Sequence, residues 1–185
     1  MQQLLSKLSW FENPKNNHIV EYYPSDDILI RYIRQYIIDG LNKGDICIII
    51  GETKHNKEVK HQIIAKGYDI QKLAKSQQLI FLDARETLDS FMEKGRPNKD
   101  LFLKNVGRKI QSAVVTGSHV RAFGSMVALL WRDGNPEAVV QLEKYWNDLA
   151  EIVDFSLFCA YPSEEFSGND DYWVRSINRC HAMTI

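Results

Sequence analysis

The chain alternates between short apolar runs and longer segments in which apolar residues recur every three or four positions. The runs are His18–Tyr23 (HIVEYY), Asp45–Ile50 (DICIII), Leu79–Leu82 (LIFL), Val120–Phe123 (VRAF) and Phe155–Tyr161 (FSLFCAY). All have the length of a strand. DICIII is continuously apolar after its first residue, as a strand covered on both faces should be. After the first run, Ile28, Leu29, Tyr32, Ile33, Tyr36, Ile37 and Leu41 form a broad helical stripe that Gly40 and Gly44 stop. Further helices are predicted from about Lys54 to Lys66, over Arg85–Lys94, over Lys99–Thr116, and in the tail through Trp173, Val174 and Ile177. Residues 1–17 read as an N-terminal extension, in which Leu4, Leu5, Leu8, Trp10 and Phe11 could line a short amphipathic helix. Residues 18–185 read as one domain.

The stretch Val120–Tyr161 is the most informative. After the VRAF run and Gly124, an apolar helical segment ends at Trp131. Asn135 then suits an N-cap, Pro136 the first helical position and Glu137 the first turn. Val139, Leu142, Trp146, Leu149 and Val153 follow on one helical face. Strand, helices and strand make a right-handed crossover between parallel strands. Three polar residues interrupt the packing pattern. Arg121 lies inside an apolar strand, Glu143 borders the apolar stripe, and Asn147 is one turn further on. A buried charge is costly unless paired. Glu143 is therefore expected to find a partner inside the fold, with Arg121 the first candidate. The plainer alternative is a solvated glutamate at the stripe's edge.

Strands alternating with helices predict an α/β three-layer sandwich with a mainly parallel sheet. In such sheets ligands sit beyond the carboxyl ends of the strands. That rim would hold Tyr23, Pro24, Ser25, Asp26, Gly51, Glu52, Asp83, Arg85, Phe123, Gly124, Ser125 and Tyr161. The expected ligand-binding set is Tyr23, Glu52, Met126, Trp131 and Tyr161 as lining, with Arg121, Glu143 and Asn147 as an internal polar network. Each aromatic taken singly could equally be core.

Composition narrows the class. Of 185 residues, 44% are hydrophobic and 11% aromatic, enough for a sizeable core. A net charge of −1 gives no electrostatic reason to expect nucleic acid. No apolar run approaches a membrane span, and the N-terminus lacks a signal-peptide core, so a cytoplasmic chain is expected. Cys47, Cys159 and Cys180 are sparse and odd in number, and two lie in predicted strands, which suggests reduced core thiols.

Several chemistries are missing from the pattern. A phosphate loop needs glycines and a lysine. The first strand–helix connection is instead Tyr23-Pro24-Ser25-Asp26-Asp27, with two carboxylates where phosphate would sit. Ser125 follows Gly124, but there is no nucleophile elbow and no matched histidine. Asp26, Glu52 and Asp83 could converge as a carboxylate cluster, although acids at helix starts are more often caps. His55 and His61 fall on different helix faces, and Cys180 beside His181 is an awkward pair for one ion. These histidines read as surface residues; no metal site and no cofactor are expected.

The blocks HIVEYYPSDD, LNKGDICIII, LIFLDARETLDSFMEKGRPN, VRAFGSMVALLWRDGNPEAVVQLEKYWNDL and FSLFCAYP together resemble the MEDS domain, the sensory domain of methanogen and methylotroph regulators and of the dichloromethane-responsive repressor. The resemblance runs from about His18 to His181. It implies a RecA/KaiC-like P-loop NTPase fold that has lost its Walker loop. It also implies a non-catalytic module sensing a small organic ligand, of which hydrocarbon derivatives are one class, and regulating a partner histidine kinase or transcription regulator. No output domain is recognisable in these residues, so a sensor acting alone or on a separate partner is expected. The alternative is a protein-interaction or homo-oligomerisation scaffold on the same fold.

Overall fold

Six strands form one sheet, the five predicted ones and a short one from the tail, and every crossover returns its strand parallel to its neighbours. The computed structural model describes residues 18–114, 117–166, 171–181 and 183–184. The proposed N-terminal helix at Leu4–Phe11 lies outside the described residues. Strands β1 (His18–Tyr23), β2 (Ile46–Gly51), β3 (Leu79–Asp83), β6 (Val120–Gly124), β7 (Phe155–Pro162) and β8 (Met183–Thr184) assemble in the order β3-β2-β6-β7-β1-β8, every pairing parallel. Two short strands, β4 (Met92–Glu93) and β5 (Arg96–Pro97), make a separate antiparallel hairpin.

Helices α1 (Asp26–Lys43), α2 (Thr53–Ala65) and α3 (Ile70–Lys75) connect β1, β2 and β3. The residues of α1 and α2 bury one face of the sheet with Cys47, Ile49, Phe123 and Phe158. From β3 onward the chain travels back across the sheet. It passes through α4 (Ala84–Asp89), the hairpin, α5 (Lys99–Phe102), a π-helical turn (Leu103–Gly107), α6 (Arg108–Val114), α7 (Met126–Arg132) and α8 (Pro136–Ala150). These cover the other face, with Val20, Ile48, Ala122, Leu157, Cys159 and Tyr161. Direction and covering face reverse together, as they must if every crossover keeps one hand. A 3-10 turn (Ser163–Phe166) and α9 (Asp171–Asn178) lead to β8.

The strand predictions agree with the structure to within a residue at each end. Three helical expectations need correction. The Arg85–Lys94 helix stops at Asp89 and gives way to the hairpin, where Lys94 and Gly95 adopt positive φ. The Lys99–Thr116 segment is interrupted by the π turn. The tail adds a sixth strand beside β1, too short for its pattern to register. The Asn135 cap is present: its side chain accepts from the Ala138 N–H, and Pro136 opens α8. No described helix is long and apolar enough to cross a membrane.

Candidate functional site

Arg121 and Glu143, expected to pair, lie on opposite faces of the sheet. Alternation along β6 places Arg121 with Phe123 towards α1, while Val120 and Ala122 face α8. The Arg121 Nε donates to Asp45 Oδ2 at 2.6 Å and its Nη1 to the Tyr36 carbonyl at 3.4 Å. The guanidinium also lies 5.4 Å from the Tyr36 ring centroid, within the range of a cation–π contact. Gly40 makes room for it: a Cβ there would sit 2.8 Å from Arg121 Cδ and 2.9 Å from Cys47 Sγ. The expected Arg121–Glu143 pair is thus replaced by Arg121–Asp45, because strand parity sends Arg121 to the α1 side.

Glu143 is fully buried, so it is not the solvated glutamate of the plainer reading. Its stripe neighbours Val139, Leu142 and Trp146 carry it onto β7 and β1. Its carboxylate meets four side chains from three segments. Tyr161 on β7 donates its hydroxyl to Oε1 at 2.5 Å. His181, after α9, places Nε2 3.3 Å from Oε1. His18, at the start of β1, places Nε2 3.2 Å from Oε2. The Cys159 Sγ lies 3.8 Å from Oε2 and 3.4 Å from His18 Nε2. The two imidazole rings are 4.0 Å apart between centroids.

The hydrogen bonds behind this cluster place a proton on Nδ1 of each imidazole and fix the orientation of both rings. The Asn147 amide donates to the Cys180 carbonyl at 2.8 Å. A carbonyl can only accept, so Asn147 Oδ1 faces His18, and His18 Nδ1–H donates to it at 2.8 Å. His181 Nδ1–H donates to the Ile177 carbonyl at 2.8 Å. Both Nε2 atoms therefore turn towards Glu143. Burial alone would raise the Glu143 carboxyl; the charge of His181 first, and then the hydrogen bond from His18, outweigh it and hold the group well below the usual carboxylate range. Burial depresses His181, and Glu143 more than restores it, for a net upward shift. Burial and then the Glu143 charge push the Tyr161 hydroxyl and the Cys159 thiol upward.

A second constellation occupies the expected rim. A cleft of about 200 Å³ is lined by Tyr23, Asp26, Glu52, Lys54, Arg132 and Glu165, among others. Arg132, the last residue of α7, donates to Glu52 Oε1 at 2.5 Å and lies 3.9 Å from Glu165. Asp26 is 2.8 Å from Lys54 Nζ and 3.2 Å from His55 Nε2. Burial would raise Asp26, but the hydrogen bonds from Lys54 and His55 lower it. Burial raises Glu165, against the opposing charge of Arg132. Of the three rim acids, Asp26 and Glu52 share this cleft and both approach His55, at 3.2 and 3.7 Å, while Asp83 lies apart and caps α4 by accepting from the Arg85 and Glu86 N–H groups.

Of the residues expected to bind ligand, Tyr23 and Glu52 line this cleft. Trp131 is half-buried nearby and donates Nε1–H to the Glu165 carbonyl at 3.3 Å. Glu143, Asn147 and Tyr161 belong to the interior cluster, Met126 is core on the α7 side, and Arg121 belongs to the opposite face. The reading of the histidines as surface residues holds for His61 but not for His55 or His181, whose side chains are buried. His18, Cys159 and His181 were missed as a set because they come from three segments with no shared spacing. Asp45 was passed over as the polar start of a strand. Arg132 lies one residue past the predicted helix end at Trp131 and carried no signal of its own.

The family model of the methanogen/methylotroph, DcmR sensory domain, MEDS, matches residues 17–181. Among solved structures, the chain is similar to a KaiC-like protein of the hyperthermophilic archaeon Pyrococcus horikoshii OT3. The TM-score is 0.63 at 12% identity, over 92% of this chain and 72% of that one. At that identity the likeness is one of fold: the sheet and its helices are RecA/KaiC-like. The connection where such folds cradle phosphate carries Asp26 and Asp27 in the first turn of α1. No curated protein matches the chain.

Proposed function

The chain belongs to the MEDS family of sensory domains, and from that premise we propose a non-catalytic signal-transduction sensor. It takes a small organic molecule in the strand-end cleft and reports occupancy to a kinase or transcription regulator. The observation that carries this reading is the make-up of the cleft. Tyr23 ends β1, Glu52 follows β2, Arg132 ends α7, and Glu165 lies on the turn after β7. One occupant would touch four separate segments. A ligand that prefers one arrangement of these segments shifts their population, which is all that a sensor requires. A volume of about 200 Å³ is below that of drug-sized pockets and suits a short molecule. The charged lining favours one with a hydrogen-bonding group. The cation or capping partner of each rim acid fits binding better than acid–base turnover.

The test is a thermal-shift screen of short alcohols, aldehydes, carboxylates and halogenated hydrocarbons on the wild type, Arg132→Met and Glu52→Gln. The expected result is a saturable rise in Tm that both substitutions abolish. A ligand that stabilises all three chains equally would place the site elsewhere and refute the cleft. A panel without any shift, combined with concentration-dependent self-association, would favour an interaction scaffold instead.

A further inference from the structure

The cluster around Glu143 has the grammar of a metal site. Two imidazole Nε2 atoms, a thiol sulfur and a carboxylate oxygen, from His18, His181, Cys159 and Glu143, all lie within 4.8 Å of one another. For a tetrahedral zinc ion bound at about 2.0–2.1 Å by nitrogen or oxygen and about 2.3 Å by sulfur, neighbouring donors stand roughly 3.3–3.6 Å apart. The contacts here are 3.2 Å from His18 Nε2 to Glu143 Oε2, 3.4 Å from His18 Nε2 to Cys159 Sγ and 3.8 Å from Cys159 Sγ to Glu143 Oε2, while His181 Nε2 stands 3.3 Å from the other carboxylate oxygen, Oε1.

Three further observations separate this cluster from a buried ion pair. First, each imidazole gives its Nδ1–H away from the cluster, His18 to Asn147 and His181 to a backbone carbonyl. Metal-binding histidines are oriented by this kind of backing bond. Second, the His181 side chain is wholly buried, yet its Nε2 makes no aligned hydrogen bond despite lying 3.3 Å from Glu143. A proton shared with the carboxylate would favour alignment; a lone pair directed at a common centre does not require it. Third, Tyr161 donates to Glu143 Oε1 and so backs the carboxylate in the same way.

We propose that His18, Glu143, Cys159 and His181 bind one zinc ion, or a divalent cation of the same class, in a closed tetrahedral site. The donor set is borderline-soft and suits zinc. One thiolate and one carboxylate balance the dication, with both imidazoles neutral. Binding converts the Cys159 S–H to a sulfur–metal bond and releases that proton, together with any proton held on Nε2 of His18 or His181, to solvent. Four protein donors complete the coordination sphere, so the ion fastens the segment after α9 onto β1, β7 and α8. The proposal does not depend on the strand-end cleft: the site stands whether or not an organic ligand binds there.

The experiment uses the full chain, stripped with chelator and titrated with Co²⁺ and Zn²⁺. About one cobalt per chain is expected, with visible bands of tetrahedral intensity and a near-ultraviolet thiolate-to-cobalt band. Cys159→Ser removes that ultraviolet band, and Cys47→Ala, on the other face of the sheet, keeps it. His181→Ala weakens cobalt binding at least tenfold. A folded wild type that takes up neither ion overturns the proposal, as does an ultraviolet band that survives in Cys159→Ser. Should Cys159→Ser fail to fold, X-ray absorption on the zinc-loaded wild type decides. One sulfur at about 2.3 Å with three nitrogen or oxygen donors at about 2.0–2.2 Å is expected, and a shell without sulfur refutes the site.

Discussion

The two faces of the sheet each bury a charged group, and they solve the problem differently. On the α1 face, Arg121 meets one carboxylate, Asp45, and a backbone carbonyl beneath an aromatic ring. That arrangement is a closed pair: the cation has its anion, and Gly40 leaves space for the chain of methylenes. On the α8 face, Glu143 meets two imidazoles, a phenol and a thiol. Pairing alone would need one of those partners. The excess, together with the backing bonds to Asn147 and Ile177, distinguishes a site from a structural ion pair. Burial of a charge therefore says little about function until its partners and their orientations are known.

The largest effect should come from breaking the closed pair. Arg121→Met leaves Asp45 beneath α1 without its cation and is expected to lower unfolding stability by about 3–5 kcal/mol, measured by urea denaturation, with metal uptake unchanged. Adding Asp45→Asn should recover much of that loss; no recovery would show that Arg121 acts by packing rather than by pairing. Gly40→Ala probes the same face more gently. Its methyl would crowd Arg121 and Cys47, and a loss of about 1–3 kcal/mol is expected in the same assay.

On the other face, Tyr161→Phe removes one hydrogen bond to a buried carboxylate. A loss of about 1.5–2 kcal/mol is expected, with metal affinity reduced because the carboxylate loses its backing. A Tyr161→Phe chain with unchanged affinity would separate that hydroxyl from the site. The smallest effect on stability belongs to the rim. Arg132 and Glu52 are partly exposed, so Arg132→Met should cost under about 1 kcal/mol while removing any ligand response.

Much of the fold was legible because its strands are short apolar runs and its long helices carry clear stripes. The tail strand and the β4–β5 hairpin were not, since two-residue strands leave no period to read. Within the site, the pattern placed Glu143 at the edge of the apolar stripe and left burial and solvation both open; the structure buries it. Its partner could not be read either. VRAF is buried on both faces, so apolar alternation cannot show which way Arg121 points, and only the pairing register settles it. His18, Cys159 and His181 were invisible for a related reason: local spacing detects donors on one helix or loop, and here the topology gathers them from the first strand, the seventh strand and the tail.

The most direct test is the melting temperature of the wild type and of Glu143→Gln, each with and without zinc after chelator treatment. A ligand that binds only the folded state at about 100 times its Kd adds about 2.7 kcal/mol. The wild type should therefore melt several degrees higher with zinc, and Glu143→Gln should not respond. Equal shifts in both chains, or none in a folded wild type, would contradict the account and return the Glu143 cluster to the same class as Arg121 and Asp45.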